Sequence, residues 1–127
     1  MEQKLLIVDD EVHIRMLLEQ TLEELEEEGV QFLTAENGVD ALAIIQKENP
    51  QLVFLDVMMP KMNGMEVCRQ VKKELKLDKV FIVLLTAKGQ ELDRQKGQEV
   101  GADIYMTKPF DPEAIIKKAR EVLGLRR

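Results

Sequence analysis

The 127-residue chain carries 24 acidic and 18 basic side chains, one His, one Cys, no Trp and no Ser, for a net charge of −6. That inventory excludes a Ser-His-Asp hydrolase, a zinc site of several His and Cys ligands and an internal disulfide, and it disfavours a phosphate-seeking nucleic-acid surface. No apolar run approaches the roughly 20 residues that cross a bilayer, and Met1-Glu2-Gln3-Lys4 does not open a signal peptide. A cytoplasmic domain away from membranes is therefore expected. What remains for chemistry is carboxylate, Lys, one Tyr and four Thr.

Lys4-Leu5-Leu6-Ile7-Val8 is the first apolar run, and it ends abruptly in Asp9-Asp10-Glu11. A helical stripe of Ile14, Leu17, Leu18, Leu22 and Leu25 follows, with Glu19, Glu23, Glu24, Glu26 and Glu27 mostly on its other faces. Val30-Gln31-Phe32-Leu33-Thr34-Ala35 is a weaker strand candidate, expected near a sheet edge. Val39, Ala41, Leu42 and Ile45 mark the second helix. Leu52-Val53-Phe54-Leu55 is the next strong run, closed by Asp56. Asn63 as N-cap, with Gly64, starts a third helix whose stripe is Met65, Cys68, Val71 and Leu75. Val80-Phe81-Ile82-Val83-Leu84-Leu85 is closed by Thr86. Residues 90–100 hold only Leu92 and Val100 as large apolar residues, with Gly97 among them, so a loosely anchored fourth helix is expected. Asp103-Ile104-Tyr105-Met106-Thr107 is a second edge candidate. Asp111 as N-cap and Pro112 at the first helical position open the last helix, striped by Ile115, Ile116, Ala119, Val122 and Leu123.

The strong runs are apolar at consecutive positions, the pattern of strands buried on both faces. Five strands alternating with five helices predict an α/β fold, a doubly wound parallel sheet covered on both faces. Residues 1–124 are expected to form one domain and 125–127 a short tail.

The polar residues converge. Asp9 and Asp10, Asp56 and Thr86 each follow the last apolar residue of a predicted strand, and Lys108 follows the fifth. Parallel strands end on one edge of the sheet, the edge where open α/β sheets bind ligands. Three acids gathered there repel one another unless a cation sits among them. A small all-oxygen site that keeps its waters favours Mg²⁺. A Lys and a Thr hydroxyl facing a carboxylate and a cation are the parts that hold a phosphoryl group. A carboxylate in that setting can itself be the nucleophile.

Four segments carry a resemblance: Ile7-Val8-Asp9-Asp10-Glu11, then Asp56-Val57-Met58-Met59-Pro60-Lys61-Met62-Asn63-Gly64, then Leu85-Thr86-Ala87, then Gly101-Ala102-Asp103-Ile104-Tyr105-Met106-Thr107-Lys108-Pro109-Phe110. In that order and spacing the chain resembles a receiver domain of two-component response regulators (CheY-like) over nearly its whole length. The resemblance implies a flavodoxin-like sheet of order 2-1-3-4-5. It implies that Asp56 accepts a phosphoryl group from a sensor histidine kinase or a histidine phosphotransfer protein. Asp10 and Asp56 would bind Mg²⁺ with the backbone carbonyl of Met58, and Asp9 would act mainly through a metal-bound water. Lys108, aimed inward by a cis Lys108–Pro109 bond, would pair with the carboxylate and later with the phosphoryl oxygens. Thr86 would move to the phosphoryl group and Tyr105 would follow inward. The surface around the fourth helix, fifth strand and fifth helix would change and so control a downstream protein target.

On this reading the chain is a signalling protein, catalysing only its own phosphoryl transfer and dephosphorylation, as a monomer or a phosphorylation-dependent dimer. A stand-alone receiver is expected; the alternatives are the receiver portion of a larger response regulator lacking its output domain and a non-phosphorylated binding module. A flavin module would want a glycine- and hydroxyl-rich loop where Asp9-Asp10-Glu11 stands, and the G-x-x-x-x-G-K-[ST] of a nucleotide hydrolase is absent.

Several residues have plainer expectations. His13 reads as a solvated helix residue, Cys68 as an inert buried thiol, and Met58, Met59, Met62 and Met65 as adaptable packing. The acidic run at residues 23–28 reads as a solvated helix end. The basic residues near the last helix terminus, Arg120 among them, suit the helix dipole. Ile104 stands where many receivers carry a second acid, which argues against acid–base dimer contacts there. Met58 and Lys88 flank the path of attacking water and favour a long-lived phosphoryl group.

Overall fold

The consecutive apolar runs form the middle of a five-stranded parallel sheet. The computed structural model describes residues 2–87 and 98–125. Its strands are β1 (Lys4–Val8), β2 (Gln31–Ala35), β3 (Leu52–Asp56), β4 (Phe81–Ala87) and β5 (Ile104–Lys108), in the order β2-β1-β3-β4-β5. The order is the one expected. The two strands of mixed composition, β2 and β5, lie at the edges and are only partly buried, whereas every residue of β3 is buried.

Alternation along the strands divides the core in two. Leu5, Ile7, Phe54, Val83 and Leu85 point to one face, where they meet Leu18, Leu22, Leu25, Ile115, Ala119 and Leu123. Leu6, Val8, Val53, Leu55, Ile82 and Leu84 point to the other, against Ala41, Ile45, Val67, Cys68 and Val71. The helices of the first layer are α1 (Val12–Thr21), α2 (Glu23–Glu27) and α5 (Pro112–Leu123); those of the second are α3 (Gly38–Glu48) and α4 (Gly64–Arg69), continued by a π-helical turn at Gln70–Glu74. Asn63 and Asp111 cap their helices as expected, accepting hydrogen bonds from the amides of Glu66 and Glu113 at 2.9 and 3.0 Å.

Three details depart from the sequence reading. The first helical stripe is carried by two segments broken at Leu22, whose φ and ψ are −100° and 12°. The break keeps Leu18, Leu22 and Leu25 fully buried while turning the glutamate run. That run is not merely solvated: Arg120 reaches back from α5, its Nε donating to Glu24 at 3.1 Å and its Nη1 to Glu28 at 3.2 Å. Leu17, Val39 and Leu75 are exposed, because each lies at the margin of its stripe, beyond the reach of the sheet.

Lys88, Leu92 and Gly97 lie outside the described residues, and so does most of the expected fourth helix. Val100, at its end, is half-buried, and its carbonyl accepts from the Cys68 thiol at 3.6 Å. Burial pushes that thiol up to about 12, which fits an inert cysteine. Among the described residues no helix is long and apolar enough to cross a membrane.

Candidate functional site at the C-terminal edge of the sheet

Register delivers the polar residues to one level. Val8 pairs with Leu55, so Asp9 follows β1 where Asp56 ends β3; Asp56 pairs with Leu85, so Thr86 stands one residue beyond it on β4; Ala87 pairs with Lys108 on β5. Carboxylate oxygens of Asp9, Asp10 and Asp56 all lie within 4.8 Å of one another. The Lys108 ammonium bridges two of them, donating to Asp9 Oδ2 at 2.9 Å and pairing with Asp56 Oδ1 at 3.0 Å. The Lys108–Pro109 bond is cis.

Burial is uneven within this cluster. Asp9 and Asp56 are buried and Asp10 is exposed. Asp56 is raised from the ordinary 3.8 to about 6, chiefly by desolvation and then by the Asp9 charge, against the opposing pull of Lys108. Desolvation lowers Lys108, but hydrogen bonds to Asp9 and Asp56 outweigh it and leave the ammonium above its usual range. Three carboxylates thus face one ammonium. The donors are all oxygen and carry surplus negative charge, a set that fits a small hard cation such as Mg²⁺.

Asp9 is held at every polar atom. Its amide donates to Ala35 at 3.2 Å, Oδ1 accepts from the Glu11 amide at 3.0 Å, Oδ2 takes Lys108, and its carbonyl accepts from Arg15 Nη1 at 2.6 Å. Asp56 is seated by a close approach of backbone: a Cβ on Gly64 would lie 2.2 Å from the Asp56 carbonyl oxygen. Gly38 meets the same loop from α3, where a Cβ would lie 1.9 Å from the Met62 carbonyl oxygen. Glycine is needed at both positions for space.

Thr86 is buried at the end of β4, and Tyr105 is half-buried on β5 against the cluster that holds Ile82 and Leu84. Met58 is 63% exposed, while Met59, Met62 and Met65 pack on the core. His13 is exposed and pairs with Glu11 at 3.0 Å. Ile104 packs against the cluster of Val83 and Ile115. Its neighbour Asp103 works at the opposite end of the sheet, accepting from the Ile82 amide and pairing with Lys72, both at 2.8 Å.

The sequence reading missed Arg15, Gly38 and the Lys72–Asp103 pair. Gly38 left a trace, since Asn37-Gly38 opens a helix one residue after a cap. Arg15 left none: its bond is to backbone, which no residue pattern announces.

The fold and the pocket together define a doubly wound α/β protein with a cation-ready carboxylate site where its strands end. The chain belongs to the response regulator receiver domain family, whose model matches residues 5–120. It is 47% identical over 122 residues to "Probable transcriptional regulator ycf27" of Porphyra purpurea, a match spanning 96% of this chain and 48% of that protein. The chain therefore spans about half the length of the curated relatives it matches. Among solved structures it resembles the chemotaxis response regulator CheY4 of Vibrio cholerae, with 34% identity and a TM-score of 0.81 over 96% of this chain and 99% of that one. It also resembles a chain in the co-crystal structure of Saccharomyces cerevisiae histidine phosphotransfer signaling protein Ypd1 with the receiver domain of its downstream response regulator Ssk1, with 28% identity and a TM-score of 0.83 over 94% of this chain and 88% of that one.

Proposed function

We propose that this chain is a phosphorylation-dependent signalling switch of the cytoplasm that accepts a phosphoryl group on Asp56 from a histidine kinase or phosphotransfer protein. The observation that carries the reading is the Lys108 ammonium shared by Asp9 and Asp56 beside a third carboxylate. An Asp56 oxygen attacks phosphorus, the bond from phosphorus to the donor's imidazole nitrogen breaks, and the electron pair leaves with that nitrogen. Lys108 neutralises the acceptor and then pairs with a phosphoryl oxygen. Asp10, Asp56 and the Met58 carbonyl would hold Mg²⁺, with Asp9 acting through water. The ion supplies charge neutralisation for the phosphoryl oxygens.

Thr86 turns its hydroxyl to the phosphoryl group, Tyr105 follows inward, and the surface around β5 and α5 changes for a downstream protein. Exposed Val12 and Met16, one turn apart at the start of α1, support docking of an apolar donor surface beside the pocket. A second reading, the receiver part of a longer response regulator with an output domain, is favoured by the half-length match to transcriptional regulators. Acetyl phosphate with Mg²⁺ tests the chemistry by intact mass: the wild type gains one phosphoryl group and Asp56→Asn gains none. No gain in the wild type, or an equal gain in the variant, overturns the reading.

A further inference from the structure

We propose that Arg15 is a positioning residue for the pocket, acting through the peptide unit that joins Asp9 to Asp10; this rests on the function proposed above. The first helix begins without a side-chain cap, since Glu11 at its N-cap makes no such bond. Something else must fix how the chain leaves β1. Two bonds do so. The Asp9 carboxylate takes the Glu11 amide, and Arg15 Nη1, from the second turn of α1, donates to the Asp9 carbonyl oxygen at 2.6 Å.

That oxygen belongs to the planar unit whose other end is the Asp10 amide and Cα. Holding the oxygen holds the plane, and holding the plane sets where the exposed Asp10 carboxylate stands relative to Asp56. The bond is charge-assisted. Arg15 therefore fixes the Asp9–Asp10 peptide without occupying a carboxylate oxygen. Lys108 cannot serve this purpose, because its contacts are with side-chain oxygens on the inner side of the pocket.

The test removes the donor and keeps the stem. Arg15→Met should bind Mg²⁺ about tenfold more weakly by calorimetry, the lower end of what outer-sphere partners of metal ligands are worth. Its phosphorylation rate with acetyl phosphate at subsaturating Mg²⁺ should fall in step, and saturating Mg²⁺ should restore most of it. Arg15→Lys, which keeps a charged donor, should recover part of the affinity. Mg²⁺ affinity within twofold of wild type in Arg15→Met overturns the proposal. So does an Arg15→Lys variant no better than Arg15→Met, or an Arg15→Met chain that does not fold, which would make Arg15 a support of the fold. A wild type that neither binds Mg²⁺ nor gains a phosphoryl group would take down the functional reading as well; an active wild type matched by Arg15→Met takes down the role of Arg15 alone.

Discussion

Arg120 lies between Glu24 and Glu28 at the junction of α5 with α2, and Lys108 lies between Asp9 and Asp56 where the strands end. Each cluster sets one cation against two carboxylates, yet the acids respond in opposite directions. Glu28 is held below its ordinary range, first by its hydrogen bond to Arg120. Asp56 is pushed up to about 6, first by desolvation. The guanidinium offers a fork of donors to acids that stay in contact with water. The ammonium faces acids stripped of water, with Asp10 as a third charge nearby. One cluster is a staple satisfied as it stands. The other is left short of positive charge, and a site in that condition fits a small cation.

Lys108→Ala should break the second cluster with the largest effect. Losing an aimed electrostatic donor of this kind costs about 10²–10³-fold in rate. Phosphorylation by acetyl phosphate at saturating Mg²⁺, followed by intact mass, reads it directly. A rate within a few-fold of wild type would mean that the shared ammonium is not what prepares Asp56.

Asp56→Asn should sharpen the contrast in stability. Because Asp56 is raised from 3.8 to about 6, the folded chain keeps a proton that the unfolded chain releases. The stability tied to this group is full below the unfolded pKa and lost as pH rises through the folded one. Without divalent cations at pH 7.5, Asp56→Asn should exceed the wild type by about 1–3 kcal/mol, and the gap should close between pH 6 and 4. Urea melts in EDTA across that range check it. A constant gap would place the cause in packing, and added Mg²⁺ should narrow the gap by stabilising the wild type alone.

Arg120→Met should weaken the other cluster without touching the chemistry. Its melting temperature should fall by several degrees at pH 7 while its phosphorylation rate stays that of wild type. The sign with pH is opposite to that of Asp56. Since Glu28 is lowered, its stabilisation is present above its ordinary value of 4.5 and is lost as pH falls through the folded pKa. The deficit of Arg120→Met should therefore shrink in acid. A deficit that grows in acid would contradict the pairing.

The legible parts of this molecule follow the same division. β1, β3 and β4 are readable because strands buried on both faces need unbroken apolar residues, and their abrupt polar ends gave Asp9, Asp56 and Thr86 their places. Asp111-Pro112 was readable because a cap is local. Arg120 was not, since its partners lie 92 and 96 positions away and any surface glutamates would look the same. The break at Leu22 and the π-helical turn at Gln70–Glu74 carry no Gly or Pro to announce them. The break holds Leu22 in the core, and the turn carries the buried Val71. The pocket's residues were legible as types and spacings, but the charge imbalance that distinguishes it from a staple depends on burial.

A third cluster isolates that last variable. Arg69 sits between Glu66 and Glu74, donating to Glu66 from Nε at 3.0 Å and to Glu74 from Nη1 at 2.7 Å, and all three side chains are substantially exposed. The Glu66 carboxyl is held down at about 2, first by its bond to Arg69 and then by Gln70. A shift that large would suggest a strong contribution to stability, but water and salt screen exposed pairs. Arg69→Ala should thus produce the smallest effect of the series, a melting temperature within replicate scatter of wild type. Carboxyl titration by NMR should still show Glu66 moving back towards its ordinary value. If Arg69→Ala costs as much as Arg120→Met, burial is not what separates these clusters, and the ion-pair geometry alone would have to explain why only Asp56 is raised.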